Sequence, residues 1–276
     1  MNVGIGLPNT IPDSPGDAIA EWARRAEVGP FSSVVALDRL AYEGIDPFIA
    51  LAVAAAVTDR VRVATMIAIG PLRSTGVLVK QAMSVDALSG GRLTLGLAVG
   101  ARRDDYEAAG VDPRRRGDRL AEQLVYLRNG GDGHRGLSAR AGLELLVGGA
   151  SGSAFARAAR YADGYAHGGG PPRAFENAVA RALAAWSDLG RPGRPRLWGQ
   201  GYFALGEVER GNAYLRDYYS FTGPFAEKIV AGNLTSPRAI KDFVRGYEEA
   251  GCDELILLPT VRDIDQLDRL AEVIGR

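Results

Sequence analysis

The stretch Asp86–Gly100 reads DALSGGRLTLGLAVG. It begins as the end of a helix and turns at Ser89-Gly90-Gly91, where two glycines take the positive φ angles that other residues avoid. Arg92–Val99 then runs as a strand too apolar to have a wet face, and it breaks at Gly100. A strand buried on both sides belongs to a parallel sheet covered by helices. The polar stretch that follows, ARRDDYEAAG, is read as a loop at the end of the sheet where such folds keep their chemistry.

Working outward, the same kind of short apolar run recurs. Strands are expected at Val3–Leu7, Ser33–Leu37, Val61–Ile69, Leu93–Val99, Leu143–Val147, Gly164–His167, Arg196–Leu205 and Glu254–Leu258. Helical patterns lie between them, at Asp17–Glu27, Pro47–Val57, Val77–Ala87, Arg116–Arg128, Ser153–Tyr161, Phe175–Leu189, Ser236–Ala250 and Asp263–Ile274. Asp46 with Pro47, and Ser236 with Pro237, are N-cap and first-turn signals. Eight strands alternating with helices over 276 residues predict an α/β fold, a (β/α)8 barrel forming one domain over residues 1–276. An open doubly wound sheet is the alternative. Its Rossmann form needs a glycine fingerprint in the first βα turn, and LPNTIPDSPGD has none. Gly206–Asn233 is the least regular connection, with helical pieces ERGNAYLRDYY and GPFAEKIVAG expected to cover the barrel mouth or a partner subunit.

The chain is 46% hydrophobic and 24% charged with a formal net charge of zero, which favours neither nucleic acid nor an anionic membrane as a partner. The apolar run Phe48–Val57 is too short to span a bilayer, and MNVGIGLP lacks a charged region ahead of an apolar one, so a cytoplasmic location is expected. Cys252 is the only cysteine, which excludes an internal disulfide and a cysteine metal site; beside the apolar run ELILL it reads as a core thiol.

Barrel topology places functional residues after strand ends: Pro8-Asn9, Asp38-Arg39, Ile67–Pro71, Gly100–Tyr106, Gly148–Ser151 and His167–Gly170. GGASGSAF (Gly148–Phe155) is a glycine turn running into a helix start, and GGGPP (Gly168–Pro172) is a second glycine turn beside it. Exposed N–H groups and a positive helix end there suit a phosphate, although such glycines also serve tight turns alone. Asp38 closes SVVAL and would either accept a hydrogen bond from a ligand or pair with Arg39. His167, at a strand end, is the histidine placed for proton transfer, unless it only packs or orients; His134 in NGGDGHRG reads as exposed. Asp104, Asp105 and Glu107 lack the spacing of a metal site and read as a solvated loop, so no metal is expected. A phosphate-ester isomerase or aldolase would need a strand-end lysine, and the only lysines, Lys80, Lys228 and Lys241, fall in helical segments.

VGIGLPN, VVALDRL, DPFIALAVAAAVTDRVRVAT, KQAMSVDALSGGRLTLGLAVGARRDDYEAAGV, RRRGDRLAEQLVYLR, VGGASGSAFARAARYADGYAHGG and GCDELILL follow one another along nearly the whole chain. In that order they resemble the luciferase-like monooxygenase superfamily, in particular its flavin- and coenzyme F420-dependent oxidoreductases. The resemblance implies a (β/α)8 barrel with the cofactor across its C-terminal mouth. It implies a phosphate at Gly148, Gly149, Gly168 and Gly169, and a ring resting on a third-strand bulge with a non-proline cis peptide at Met66-Ile67. It puts Asp38 near the ring as a catalytic position and Asp104 at the ring edge. Relatives often carry a catalytic histidine after the strand-two acid; here that residue is Arg39, which leaves His167 and Tyr106 as substitutes. The implied activity is hydride transfer between coenzyme F420 and a small organic substrate. FMN-dependent monooxygenation and a cofactor-free barrel with a binding role are the alternatives. Apolar positions in Ala50–Val57 are consistent with a homodimer.

Overall fold

The computed structural model describes residues 1–129 and 142–275. Eight parallel strands close on themselves in sequence order: β1 (Asn2–Gly6), β2 (Ser33–Ala36), β3 (Arg62–Ile69), β4 (Leu93–Ala98), β5 (Glu144–Gly148), β6 (Gly164–Ala166), β7 (Arg196–Phe203) and β8 (Glu254–Pro259). The ring closes where β1 pairs with β8, Asn2 opposite Glu254 through Ile5 opposite Leu257. Helices α1 (Ala18–Val28), α2 (Pro47–Ala56), α3 (Thr75–Leu88), α4 (Arg103–Ala108), α5 (Arg116–Asn129), α6 (Gly152–Tyr161), α7 (Pro172–Asp188), α8 (Val208–Tyr218), α9 (Phe225–Val230), α10 (Pro237–Glu249) and α11 (Asp265–Ile274) occupy the connections. This is the (β/α)8 barrel expected from the sequence, and each strand lies within one or two residues of its expected bounds.

The opening motif works as read. Gly90 and Gly91 have φ of 65° and 86°. Arg92 then ties the turn to its neighbours, donating from Nε to Ser89 O at 2.7 Å and from Nη2 to Thr58 O at 2.6 Å. All six residues of β4 are buried. Val35, Ala64, Met66, Leu146, Trp198 and Ile256 fill the barrel interior, while a larger apolar layer joins the strands to the helices. The expected caps form: Asp46 accepts from the N–H groups of Phe48 and Ile49, and Ser236 from that of Ala239.

One stretch differs. ARRDDYEAAG is not a loop, because Arg103–Ala108 form α4. Asp104 and Asp105 sit in its first turn, where carboxylates favour the positive helix end, and Gly110 stops it at φ 64°. Asp105 is fully buried rather than solvated. His134 lies outside the described residues.

Candidate active site

Strands β2 to β7 open at their C-terminal ends into a cavity of about 420 Å³. Its floor is apolar, made by Met66, Ile67, Ile69 and Ala98. The floor exists because β3 bulges: its pairing with β4 shifts register between Thr65 and Ala68, and Met66-Ile67 is a cis peptide, at the position the resemblance implied. Thr65 locks the bulge, its hydroxyl donating to Gly96 O at 2.8 Å and accepting from Gly96 N–H at 3.0 Å. A Cβ on Gly96 would lie 2.4 Å from Thr65 O, so only glycine fits there.

Both glycine loops line one end of the cavity through Gly148, Gly149, Gly168 and Gly169. A Cβ at Gly148 would stand 2.6 Å from Ile67 Cδ1, so this glycine lets the bulge and the loop touch. Gly149, Gly169 and Gly170 have φ of 129°, 99° and 121°, turns that side chains resist. The first loop runs into α6, whose Ser151 caps Ala154 N–H and whose N-terminus faces the exposed Gly149–Ser153. Tyr165 fixes that loop by donating to Gly149 O at 2.9 Å, and Gln200 Nε2 fixes the second by donating to Gly168 O at 3.1 Å. Neither Tyr165 nor Gln200 was singled out in the sequence. Each lies on a strand facing a loop contributed by another part of the chain, and no local motif marks it.

Asp38 lines the cavity but is bound to the protein. Its Oδ2 accepts from Ile69 N–H at 2.7 Å and Arg73 Nη1 at 2.6 Å, and its Oδ1 from Arg73 Nη2 at 3.1 Å. Burial pushes the carboxyl up, and Arg73 and the Ile69 N–H act against it. The partner is therefore Arg73 and not Arg39. Asn9 sets the approach to this site from the first loop, donating to Leu37 O at 2.8 Å and accepting from Leu37 N–H at 3.1 Å.

His167 also lines the cavity. Its Nδ1 is 3.5 Å from the Tyr165 hydroxyl, its Nε2 is buried without a partner, and burial lowers its pKa. A backbone hydrogen bond with Gly169 acts against that shift. Tyr106 does not reach the cavity: it is buried, donates to Val99 O, and burial pushes its phenol up to about 12. Asp104 is not among the lining residues either. Its carboxylate holds Arg102, whose Nε lies 2.9 Å from Oδ1, and Arg102 lines the mouth in its place. Arg39 lines the wall beside it and donates from Nε to Asp105 at 2.9 Å.

The irregular connection after β7 covers the opening, as expected. Tyr218 at the end of α8, with Tyr219 and Phe221 just after it, crosses the mouth, and Tyr202 of β7 bonds Tyr219 hydroxyl to hydroxyl at 2.7 Å. Among the described residues, no group of three or more His, Cys, Asp or Glu side chains is placed to hold a metal ion. Nor is any described helix long and apolar enough to cross a membrane.

A family model described as luciferase-like monooxygenase matches residues 1–251. An uncharacterized protein of Mycobacterium tuberculosis strain H37Rv is 32% identical over 162 residues, covering 53% of this chain and 56% of that protein. The chain thus aligns with little more than half the length of that curated relative. Among solved structures, an F420-dependent secondary alcohol dehydrogenase in complex with an F420-acetone adduct superposes with a TM-score of 0.82 at 17% identity, over 100% of this chain and 99% of the other. The oxygenating constituent of 3,6-diketocamphane monooxygenase from Pseudomonas putida, in complex with FMN, superposes with a TM-score of 0.73 at 14% identity, over 100% and 97%. At these identities the superpositions speak for the fold alone.

Proposed function

The chain belongs to the luciferase-like monooxygenase family, and we propose that it is an oxidoreductase transferring a hydride between coenzyme F420 and a small organic substrate. The observation that carries this reading is one cavity with an apolar floor at the β3 bulge and two glycine loops lining it. A tricyclic ring with a phosphorylated side chain has that shape. The residues fit such a group: a side chain at Gly148 or Gly149 would fill the cradle, and Gly168 opens onto free space. Backbone N–H groups of the two loops and the start of α6 would hold the phosphate. Met66 and Ile67 would carry the ring. When bound, the deazaflavin supplies two-electron chemistry that does not require oxygen, whereas FMN supplies oxygen chemistry.

The remaining groups orient and seal. Tyr165 and Gln200 set the phosphate loops. Tyr218, Tyr219 and Phe221 keep water from the reacting face. His167, which lines the cavity with Nε2 unpartnered, is positioned to pass a proton to or from a substrate oxygen. The likeness of GARRDDYEAAGV to the F420-dependent branch supports the choice of deazaflavin. The same reading includes a homodimer formed through α2: Ile49 and Val53 of this helix and Val77 of the adjacent α3 remain exposed.

The test is turnover of oxidised F420 by a panel of alcohols and of reduced F420 by the matching ketones, under nitrogen. Oxygen-independent reaction in either direction supports the proposal. Turnover that demands FMN and oxygen overturns it in favour of monooxygenation.

A further inference from the structure

Arg39 follows β2 where the strand opens into the cavity. Its side chain is only 4% exposed. Nε donates to Asp105 Oδ2 at 2.9 Å, while Asp105 Oδ1 takes the backbone N–H groups of Leu40 and Ala41. A structural role would be complete with that. Yet neither Nη1 nor Nη2 makes a well-formed hydrogen bond: Nη2 is ion-paired with the Asp104 carboxylate at 3.5 Å, and the Tyr218 side chain interacts with the guanidinium. The rings of Tyr42 and Tyr218 cover the guanidinium, at 5.0 and 5.2 Å from its carbon. A guanidinium stays charged at every physiological pH, and a buried cation with idle N–H groups is costly unless something accepts from them.

The other cation lining the cavity, Arg102, has no such spare capacity. Its Nε is taken by Asp104 and its Nη1 by Tyr218 O. Arg39 is therefore the cavity cation with donors left over, among the described residues. We propose that Arg39 is the specificity-determining residue of this site, its Nη pair receiving the carboxylate of a flat, apolar organic acid as substrate. The end-on pair of a guanidinium matches the two oxygens of a carboxylate, which a lone carbonyl does not use fully. The aromatic side chains of Tyr218, Tyr219 and Phe221 suit a flat body attached to it. In the present arrangement both Nη atoms are sealed from water, so the proposal includes displacement of the Tyr218 ring as the carboxylate enters. This inference rests on reading the cavity as the cofactor and substrate site.

The test uses the whole chain and three ligands: benzoate, its neutral analogue benzamide, and oxidised F420. Binding is followed by calorimetry, with benzoate and benzamide measured both with and without F420. Benzoate is expected to bind at least about tenfold more tightly than benzamide. Arg39→Gln is expected to abolish that preference while leaving F420 affinity within about twofold of the parent. Arg39→Lys keeps the charge but loses the fork, and should weaken benzoate several-fold. Equal binding of benzoate and benzamide overturns the proposal. So does a preference that survives in Arg39→Gln, or a loss of F420 affinity in parallel with benzoate. If Arg39→Gln does not fold, the parent comparison and Arg39→Lys decide, and undiminished benzoate affinity in Arg39→Lys overturns it. A parent that prefers benzoate but binds no F420 upholds Arg39 and removes the cofactor reading; the reverse pattern does the opposite.

Discussion

Asp38→Asn removes a charge while keeping the shape of a group that joins three parts of the barrel mouth. The carboxylate side chain is 1% exposed and that of Arg73 12%. An ion pair in water would contribute up to about 1 kcal/mol, but breaking a buried one typically costs about 3–5 kcal/mol, because the surviving charge is stranded. Two features soften the loss here. The asparagine carbonyl can still accept from Ile69 N–H, and Arg73 keeps Asp46, 2.8 Å away with a carboxylate 37% exposed. The substitution should therefore destabilise the protein by about 2–4 kcal/mol. Urea unfolding at pH 7 measures this, and Arg73→Met with the double variant completes a cycle whose coupling should exceed about 1.5 kcal/mol. Because Ile69 closes β3 and belongs to the cavity floor, F420 affinity should fall as well. A loss below about 1 kcal/mol with no coupling to Arg73 would refute the buried lock. A variant that folds and binds F420 like the parent but does not turn over would instead make Asp38 a catalytic group.

Other consequences are equally direct. Gly96→Ala places a Cβ 2.4 Å from Thr65 O, which is backbone and cannot rotate away. It should cost about 1–3 kcal/mol and weaken cofactor binding; an unchanged melting temperature would contradict the account of the bulge. Cys252 is buried, and burial pushes its thiol up to about 12. It should stay unreactive to a maleimide at pH 8 until the protein unfolds, and labelling of native protein within minutes would show otherwise. Burial holds His167 below its ordinary 6.5, so the unfolded chain binds the extra proton first. Its contribution to stability is present above that pH and declines as pH drops through the window beneath it. His167→Gln should flatten the loss of stability on the acid side, and an identical slope would be evidence against burial lowering the pKa of this half-buried imidazole. The proposed homodimer through α2 predicts a dimeric parent in light scattering and a monomeric Ile49→Glu; a monomeric parent contradicts the dimer, and an unaffected dimer places the interface elsewhere.

What the sequence disclosed, and what it hid, follows the range of the interactions. DALSGGRLTLGLAVG and its counterparts announced the barrel because burial on both faces leaves a continuous apolar run, and the turn chemistry at Gly90-Gly91 is local. The glycine loops were legible for the same reason. The six residues of α4 carry too few apolar positions to show a period, and Asp105 is buried by partners brought from the loop after β2. The true partner of Asp38 lies 35 residues away, across a third-strand turn that local spacing does not reveal. Arg39 could be seen in the sequence as a strand-end residue, a candidate partner for Asp38 and a departure from relatives. Its two idle Nη atoms, and the tyrosine rings that cover them, emerge only when α8 and the turn after it fold across the mouth.

The account stands most directly on whether this cavity takes the deazaflavin. Fluorescence quenching of oxidised F420 by the purified chain, beside the same titration with FMN and with Gly149→Val, measures it. Saturable F420 quenching, weaker with FMN and weakened in Gly149→Val, whose side chain would meet Ala154 at 2.8 Å, is the predicted result. Tight binding of FMN alone, or no binding of either by a folded protein, would contradict it.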